Sequence, residues 1–384
     1  MKFSVLLPTR NGGPYLENCI RSILEQDYSD LELIISDNAN TDATPQIIRM
    51  FAGDSRVKAL RIDSMVPVTD NWNNALFASS GDYILMMGDD DCLLPGYFRK
   101  MEQILDRHRQ PDCVMYNAYS YVAPGSIDKN KHSFFCEEHF SYGSDFNQEG
   151  PMSKEQRVGV VRDMFRFKVR IPLNMQTTLL GRKALQNNCG GRFYPPFPDH
   201  YALNSLLLTG ENWVFSPDRL LVVGVSPKSF GHYVYSDRQN SGLTYLGIAT
   251  EFEGRLPGNE LLNGMHVWLN LLKCNYPQLL AKVEVDRAAY VRRQFYAWIM
   301  KMRLGGIKAR ELLHNLALLS PADWFGLAAT VADSSSWMRL LRMLFSARSK
   351  SNAETQWQSL RPLDGIADIR QFSHWLAQRD AGKS

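Results

Sequence analysis

The 384-residue chain is predicted to form an α/β protein, with helices on both faces of a mostly parallel sheet and a helical C-terminal region. Short apolar runs alternate with helical patterns in the first third, which is typical of a covered parallel sheet. From about Leu261 the pattern is helical. We expect a first domain over 1–238, divided into halves of 1–118 and 119–238, followed by a C-terminal region of 239–384.

Five apolar runs are predicted to be strands. The first is apolar except for Ser4 and ends at Pro8, which suits a strand that is buried on both faces. The second ends at Asp37, and the fourth ends at a glycine followed by three aspartates. The predicted strands are Phe3–Leu7, Leu31–Ser36, Val57–Ile62, Tyr83–Met87 and Cys113–Tyr116.

Helices are predicted between these strands. Pro14 can open the first helix, because its missing N–H costs nothing in a first turn. Thr44 is predicted to cap the second helix, with Pro45 in its first turn. A third helix is expected over residues 70–79, and a fourth from Pro95 to about residue 107.

Polar side chains gather where the predicted strands end, at 9–13, 37–42 and 89–91. Parallel sheets bind ligands beyond the carboxyl ends of their strands. We therefore expect these three segments to meet in one cleft.

Composition and motifs exclude several classes of protein. The 43 basic and 40 acidic residues leave a formal charge of +3, which gives no general case for binding nucleic acid. None of the six cysteines forms a C-x-x-C pair, so neither a zinc knuckle nor a redox motif is indicated. No apolar stretch approaches the roughly 20 residues of a membrane span. No secretory signal is visible, and we expect a cytoplasmic protein with reduced thiols.

The strongest chemical signal is the run Asp89-Asp90-Asp91 at the end of a predicted strand. Three consecutive carboxylates repel one another unless a cation compensates them. Mg²⁺ binds through one or two carboxylates, waters and substrate phosphates. A solvated acidic turn is the alternative interpretation.

Three further positions carry possible chemistry. Asp37 could accept hydrogen bonds from a nucleoside, or it could form an Asx turn. Asp199 could be catalytic, or it could cap the helix that follows Pro198. In the loop from Gly224 to His232, Lys228 suits a phosphate and His232 suits a metal or a phosphate, although a surface loop with incidental charges would look the same.

The order and spacing of motifs over about residues 1–110 resemble glycosyltransferase family 2 with the GT-A fold. The similarity rests on Val5-Leu-Leu-Pro-Thr-Arg-Asn11, on Ser36-Asp-Asn-Ala-Asn-Thr-Asp42 and on Gly88-Asp-Asp-Asp91 with Leu94-Pro-Gly96. Residues 174–232 are more weakly similar to the later half of such domains.

The resemblance implies inverting transfer of a sugar from a nucleotide diphosphate donor, most often a UDP-sugar, with Mn²⁺ or Mg²⁺ as cofactor. The acceptor would be a glycan or a lipid-linked glycan, in bacterial surface polysaccharide synthesis. Asp199 resembles the catalytic base, and the metal set would be Asp90, Asp91 and His232. The residues expected to bind the donor nucleotide are Pro8, Thr9, Arg10, Asn11, Asp37, Asn38, Asn71, Asp89 and Lys228.

This sequence departs from the family pattern at two positions. Gly88 stands where members often carry Asp, so the acidic triad can be aligned as 88–90 or as 89–91. Pro198 replaces the common Glu before the base.

Other activities fit less well. A nucleotidyltransferase needs a glycine-rich basic loop after the first strand, and a dinucleotide oxidoreductase needs G-x-G-x-x-G there. The sequence after the first predicted strand has neither. A non-catalytic sugar-nucleotide-binding or scaffold protein on the same fold remains the alternative to the transferase.

Two later segments invite interpretation. Residues 121–157 show little periodicity, and we interpret them as an acceptor-side loop or as a structural excursion. Residues 336–350 form a basic amphipathic pattern, which could lie on an anionic membrane or pack against the catalytic domain.

Overall fold

The computed structural model describes residues 1–126, 132–142, 146–229, 247, 250–303, 305–329 and 360–381. Its strands are β1 Phe3–Thr9, β2 Leu31–Asn38, β3 Val57–Ile62, β4 Tyr83–Met86, β5 Cys92–Leu93, β6 Cys113–Val122, β7 Ser133–Cys136, β8 Gly150–Met152, β9 Thr178–Gly181, β10 Trp213–Val225 and β11 Arg361–Leu363. Its helices are α1 Gly13–Leu24, α2 Thr44–Met50, α3 Val68–Phe77, α4 Tyr97–Arg107, α5 Lys154–Met164, α6 Arg182–Cys189, α7 Pro198–Thr209, α8 Glu260–Asn275, α9 Pro277–Leu280, α10 Arg287–Arg303, α11 Ala309–Ala317, α12 Pro321–Ala329 and α13 Ile369–Ala381.

The predicted α/β class is confirmed. Strands β3, β2, β1 and β4 lie side by side in that order and are all parallel. All five predicted strands are present, and β6 continues to Val122, well beyond the predicted end. In the register of β1 with β2, Thr9 is paired with Asp37. Two of the predicted polar segments therefore start at the same level of the sheet.

The second half extends this sheet with strands of both directions. Strand β9 runs antiparallel between β4 and β6. The long strand β10 is parallel to β6 and antiparallel to β5 and β8. Because β5 follows the aspartate run directly, its pairing with β10 brings residue 224 to the acidic turn.

The two faces of the sheet bury separate hydrophobic cores. Along β1, Val5 and Leu7 point into one core and Leu6 into the other, as the two-residue repeat of a strand requires. Helices α1 and α4 cover the first core, whereas α3, α5, α7 and α8 cover the second. Burial on both faces explains why consecutive residues of the first strand, from Val5 to Leu7, are apolar.

The start of α2 differs from its prediction. The helix begins at Thr44 and its flanking residue is Ala43, so the prediction that Thr44 is the cap was wrong. Instead, an Asp42 carboxylate oxygen accepts a hydrogen bond from the Thr44 N–H at 3.0 Å. The Asp42 carboxylate therefore supplies the acceptor at the start of this helix that was expected from the Thr44 hydroxyl.

The segment 121–157 contains more regular structure than its sequence indicates. Its described part includes β7, which pairs with β6, and β8, which pairs with β10. Both strands are short, and their few residues carry no periodicity that a sequence pattern could reveal.

The C-terminal region is helical from α8 to α12, but its last described part returns to the sheet. Strand β11 pairs with β7, and α13 buries Phe372 against Tyr119, Tyr121 and Phe135. Within the residues described above, no helix is both long enough and apolar enough to cross a membrane.

Candidate functional site

The site lies where β1, β2 and β4 end. Pro8 and Thr9 form the end of β1, and the turn that contains the three aspartates follows β4. The Thr9 hydroxyl donates a 2.6 Å hydrogen bond to the carboxylate of Asp89. The structure thus joins two of the segments that the sequence predicts to meet.

The Asp89 carboxylate lies directly over Gly12. A Cβ built on Gly12 would overlap this carboxylate, so a glycine is required there for the loop after β1 to approach the acidic turn. Burial and the neighbouring Asp90 charge raise the pKa of Asp89 to about 7. The Thr9 hydrogen bond offsets only part of this effect.

Asp90 points towards the loop that follows β10. The Ser229 hydroxyl donates a 2.6 Å hydrogen bond to one of its oxygens. Burial raises the pKa of Asp90 above its ordinary value, against the lowering effect of the serine hydroxyls. Burial, and after it the charges of Asp90 and Asp89, also raise the pKa of Tyr15. Excess negative charge is therefore concentrated at this point.

Asp91 has a different environment and is only 1% exposed. One of its carboxylate oxygens accepts the Gly224 N–H at 2.9 Å, and the other accepts the Gly88 N–H at 2.7 Å. Burial raises the pKa of Asp91 well above its ordinary value. Its two bonds tie the end of β4 to the end of β10, which is a structural role.

Lys228 bridges the loops around the acidic turn. Its ammonium group donates to the Asn11 carbonyl and lies 3.6 Å from an Asp42 carboxylate oxygen. Its charge also lowers the pKa of Asp89, but less than burial raises it. Lys228 is thus the cation that the described loops bring near the carboxylates.

Several predicted nucleotide contacts hold loops together. Arg10 donates to the carbonyls of Asn38 and Ala39. The Asn11 side chain accepts the Thr41 N–H at 3.0 Å. The amide of Asn38 pairs with both backbone groups of Val66 at 2.9 Å. These contacts fix the shape of the cleft wall.

Asp37 is buried, and its carboxylate accepts hydrogen bonds from its own loop and from a neighbouring strand. One oxygen accepts the Asn40 N–H at 2.9 Å, and the other accepts from Arg61 at 2.6 Å. The hydroxyl of Ser36, the residue before Asp37, donates a 2.6 Å hydrogen bond to the side-chain carbonyl of Asn71. The Asn71 amide nitrogen is buried without a partner.

Asp199 lies in the first turn of α7. Phe197 is the capping residue, so the interpretation of Asp199 as the helix cap is wrong. The Asp199 side chain is 20% exposed, and burial raises its pKa to about 7. The adjacent His200 ring stacks on Phe197, and burial lowers its pKa to about 3. A neutral His200 ring adds no positive charge beside Asp199, and the His200 N–H, which donates to the Asp199 carboxylate at 2.9 Å, offsets only part of the effect of burial. Asp199 can therefore exchange a proton near neutral pH.

A cavity of about 120 Å³ lies beside Asp90, and sequence reasoning missed most of its lining. Tyr15, Tyr121 and Ser226 line it together with Asp368, which precedes α13. No motif signals that a residue so far along the chain returns to this site. The predicted metal ligand His232 lies outside the described residues, as does the segment 336–350.

The comparisons with known proteins agree with this geometry. Residues 4–185 match the model of the family described as Glycosyl transferase family 2. This part of the chain is a family 2 glycosyltransferase domain. The resemblance predicted from the sequence is therefore confirmed.

Relatives of this glycosyltransferase domain include two bacterial proteins. The GalNAc(5)-diNAcBac-PP-undecaprenol beta-1,3-glucosyltransferase of Campylobacter jejuni is 36% identical over 104 residues, which are 27% of this chain and 34% of that protein. The putative glycosyltransferase EpsE of Bacillus subtilis is 33% identical over 115 residues, which are 29% of this chain and 41% of that protein. The chain thus matches less than half of either relative.

One solved structure supports the fold over a longer part of the chain. S. aureus TarS 1-349 in complex with UDP-GlcNAc has a TM-score of 0.52 and 15% sequence identity. The similarity covers 83% of this chain and 80% of that one. It shows that the glycosyltransferase domain and much of the chain around it share the fold of that transferase.

The different environments of Asp90 and Asp91 predict different effects on stability. Asp91→Ala would leave the N–H groups of Gly88 and Gly224 without their acceptor, and should lower the free energy of unfolding by about 2 kcal/mol or more. Asp90→Ala removes a repelling charge and should change it by less than about 1 kcal/mol. Urea denaturation in metal-free buffer measures both, and equal losses would contradict this assignment.

The raised pKa of Asp199 predicts a pH-dependent stability. Folded Asp199 holds its proton up to about pH 7, whereas the unfolded chain releases it near the ordinary value of 3.8. Its contribution to stability is therefore complete below that ordinary value and is lost as the pH rises through 7. Asp199→Asn should be more stable than the native protein above pH 7, by about 4 kcal/mol, and the gain should vanish towards pH 4.

The matched control for this measurement is Asp106→Asn, on the exposed side of α4. Denaturation of the three proteins at a series of pH values gives the comparison. A constant difference between Asp199→Asn and the native protein across the series would show that the Asp199 pKa is not raised.

Proposed function

We propose that this protein is an inverting glycosyltransferase, which moves a sugar from a nucleotide diphosphate donor to a hydroxyl of an acceptor. The observation that carries the proposal is the pair of carboxylates, Asp89 and Asp90, held beside Thr9 at the carboxyl end of the parallel strands. Such a position is where sheets of this kind bind their ligands. The match of residues 4–185 to family 2 supports the same reaction.

The donor set at this point suits a divalent cation, Mn²⁺ or Mg²⁺. Asp89 and Asp90 are adjacent hard oxygen donors whose raised pKa values reflect burial and, for Asp89, the repulsion of its neighbour. Among the described residues no group of three or more acidic, His or Cys side chains is poised for a metal. Two carboxylates completed by phosphate oxygens and water match what Mg²⁺ requires.

We assign the metal to Asp90 with Asp89 beside it, rather than to Asp91. Both Asp91 oxygens already accept backbone N–H groups. The bound ion would neutralise the diphosphate as a leaving group. His232 stays a predicted further ligand.

The donor nucleotide would occupy the cleft wall formed by the loops after β1 and β2. The contacts of Arg10, Asn11 and Asn38 with these loops fix the wall before a ligand arrives, which lowers the entropic cost of binding. Lys228 would turn from the Asn11 carbonyl to the donor phosphates. TarS, with a similar fold, was solved with UDP-GlcNAc, so we propose a UDP-sugar as the donor.

Asp199 would act as the general base. Its carboxylate takes the proton of the acceptor hydroxyl while that oxygen forms a bond to the anomeric carbon. The bond from that carbon to the diphosphate oxygen breaks, and the electron pair leaves with the diphosphate. A single displacement inverts the configuration. A pKa of about 7 makes Asp199 a stronger base than an ordinary aspartate, yet leaves it half ionised at neutral pH.

The acceptor would be a glycan or a lipid-linked glycan in bacterial surface polysaccharide synthesis. The name of the Campylobacter relative describes an undecaprenol-linked substrate, which supports this choice. Contact of residues 336–350 with a membrane surface would place the enzyme at such an acceptor, on the cytoplasmic side.

Hydrolysis of a donor by the full-length protein tests the proposal without knowledge of the acceptor, because water can take the place of the acceptor hydroxyl. UDP release from a panel of UDP-sugars with Mn²⁺ should be detectable for one donor. Asp199→Asn should lower this rate about 100-fold or more, since it removes the base, and should leave the affinity for UDP unchanged.

Asp106→Asn again serves as the matched control and should keep the native rate. If Asp199→Asn hydrolysed the donor as fast as the native protein, Asp199 would not be the base. If the native protein bound UDP but turned over no donor, the scaffold alternative would replace the transferase.

A further inference from the structure

We propose that the cavity beside Asp90 takes the sugar ring of the donor, and that Asp368 recognises hydroxyl groups of this ring. This inference rests on the proposed transferase function and adds to it a residue that selects the donor sugar. Asp368 directly precedes α13 and lies far outside residues 4–185, the part of the chain that matches family 2. The cavity therefore brings a residue of the C-terminal region into the site.

The cavity lies where a donor sugar would follow its diphosphate. Ala123, the residue after β6, and Val225, the last residue of β10, both line it. Strands β6 and β10 run in the same direction as β4, and β6 lies on the side of β4 that is away from β2. The loops after β1 and β2 form the proposed nucleotide wall. A nucleoside, a diphosphate and a sugar would thus occupy successive positions along the carboxyl edge of the sheet.

The size and the lining of the cavity suit one sugar ring. Its volume is about 120 Å³. An apolar protein cavity of about 150 Å³ accepts one benzene ring, so the space is of the right order for a single six-membered ring. The polar residues of the lining are Tyr15, Asn18, Asp90, Ser226 and Asp368. Their hydroxyl, amide and carboxylate groups can all exchange hydrogen bonds with sugar hydroxyls.

The charge of the lining indicates which part of the donor the cavity takes. Asp90 and Asp368 are acidic, and no lysine or arginine is among the described residues that line the cavity. Negative charge here would repel the diphosphate. Sugar hydroxyls, in contrast, donate hydrogen bonds, and carboxylates are strong acceptors. Because Asp90 holds the metal in the proposed function, Asp368 is the carboxylate that remains for the sugar.

The contacts of Asp368 fix its position in the cavity wall. One of its oxygens accepts the Gln371 N–H at 2.9 Å, in the pattern of a cap at the start of α13. Two residues before Asp368, the Ile366 carbonyl accepts a 2.8 Å hydrogen bond from Ser133 of β7. Burial, and after it the Asp368 charge, raise the pKa of Tyr121, against the lowering effect of its Ser133 hydrogen bond. The Asp368 charge is therefore felt inside the cavity.

The two helices that border the cavity are joined by an ion pair. Arg370, in the first turn of α13, pairs with Glu25, which directly follows α1. Helix α1 contributes Tyr15 and Asn18 to the lining. These walls are in place before a sugar arrives, which lowers the entropic cost of its binding.

Isothermal titration calorimetry on the full-length protein with Mn²⁺ tests the inference. The ligands are UDP and, from a panel of UDP-sugars, the one that the native protein binds most tightly. Asp368→Asn should weaken binding of this UDP-sugar about tenfold and leave the affinity for UDP unchanged, because only the sugar reaches residue 368. Asparagine is as good a helix cap as aspartate, so the variant should keep α13 in place.

The matched control is Asp364→Asn, the same change on an exposed residue of the same segment that does not line the cavity. It should bind both ligands like the native protein. Native affinity of Asp368→Asn for the UDP-sugar would overturn the inference. So would an equal loss of affinity for UDP and for the UDP-sugar, because residue 368 would then act on the metal or on the whole site. A native protein that bound neither ligand would contradict the proposed function itself, and this inference with it.

Discussion

The structure depends on how three consecutive carboxylates are accommodated at the end of β4. Their mutual repulsion and their burial both oppose ionisation. Asp91 is compensated by two backbone N–H groups, Asp89 by the Thr9 hydroxyl and Asp90 by the Ser229 hydroxyl. Hydroxyl donors reduce but do not cancel a negative charge. The site therefore keeps an excess of negative charge, which a bound cation would neutralise.

Two glycines of the surrounding fold allow other segments to approach the acidic turn closely. Gly12 lets the loop after β1 reach the Asp89 carboxylate, and Gly224 lets β10 pass against the Asp90 backbone, where a side chain would collide. The antiparallel pairing of β5 with β10 brings Gly224 there. Because β10 belongs to the second half of the sheet, the acidic turn connects the two halves. A change in this packing would therefore shift the positions of the carboxylates directly.

The first half of the fold and the location of the site could be predicted from the sequence, because strand and helix patterns alternate regularly there. Asp91 was predicted as a metal ligand beside Asp90, since sequence spacing does not show which carboxylates meet backbone amides. Ser229 escaped notice because a serine in a loop has no distinctive pattern. The return of α13 to the sheet depends on Phe372 meeting Tyr121, a contact between distant residues that no local periodicity encodes.

Isothermal titration calorimetry of UDP into the native protein and Asp90→Asn, with and without Mn²⁺, tests the central claim that the incompletely compensated carboxylates of Asp89 and Asp90 hold a cation for a nucleotide diphosphate. The account predicts that Mn²⁺ strengthens UDP binding at least about tenfold in the native protein, a coupling free energy of about 1.4 kcal/mol, and that Asp90→Asn abolishes this gain. Equal UDP affinity with and without Mn²⁺ in the native protein would contradict it.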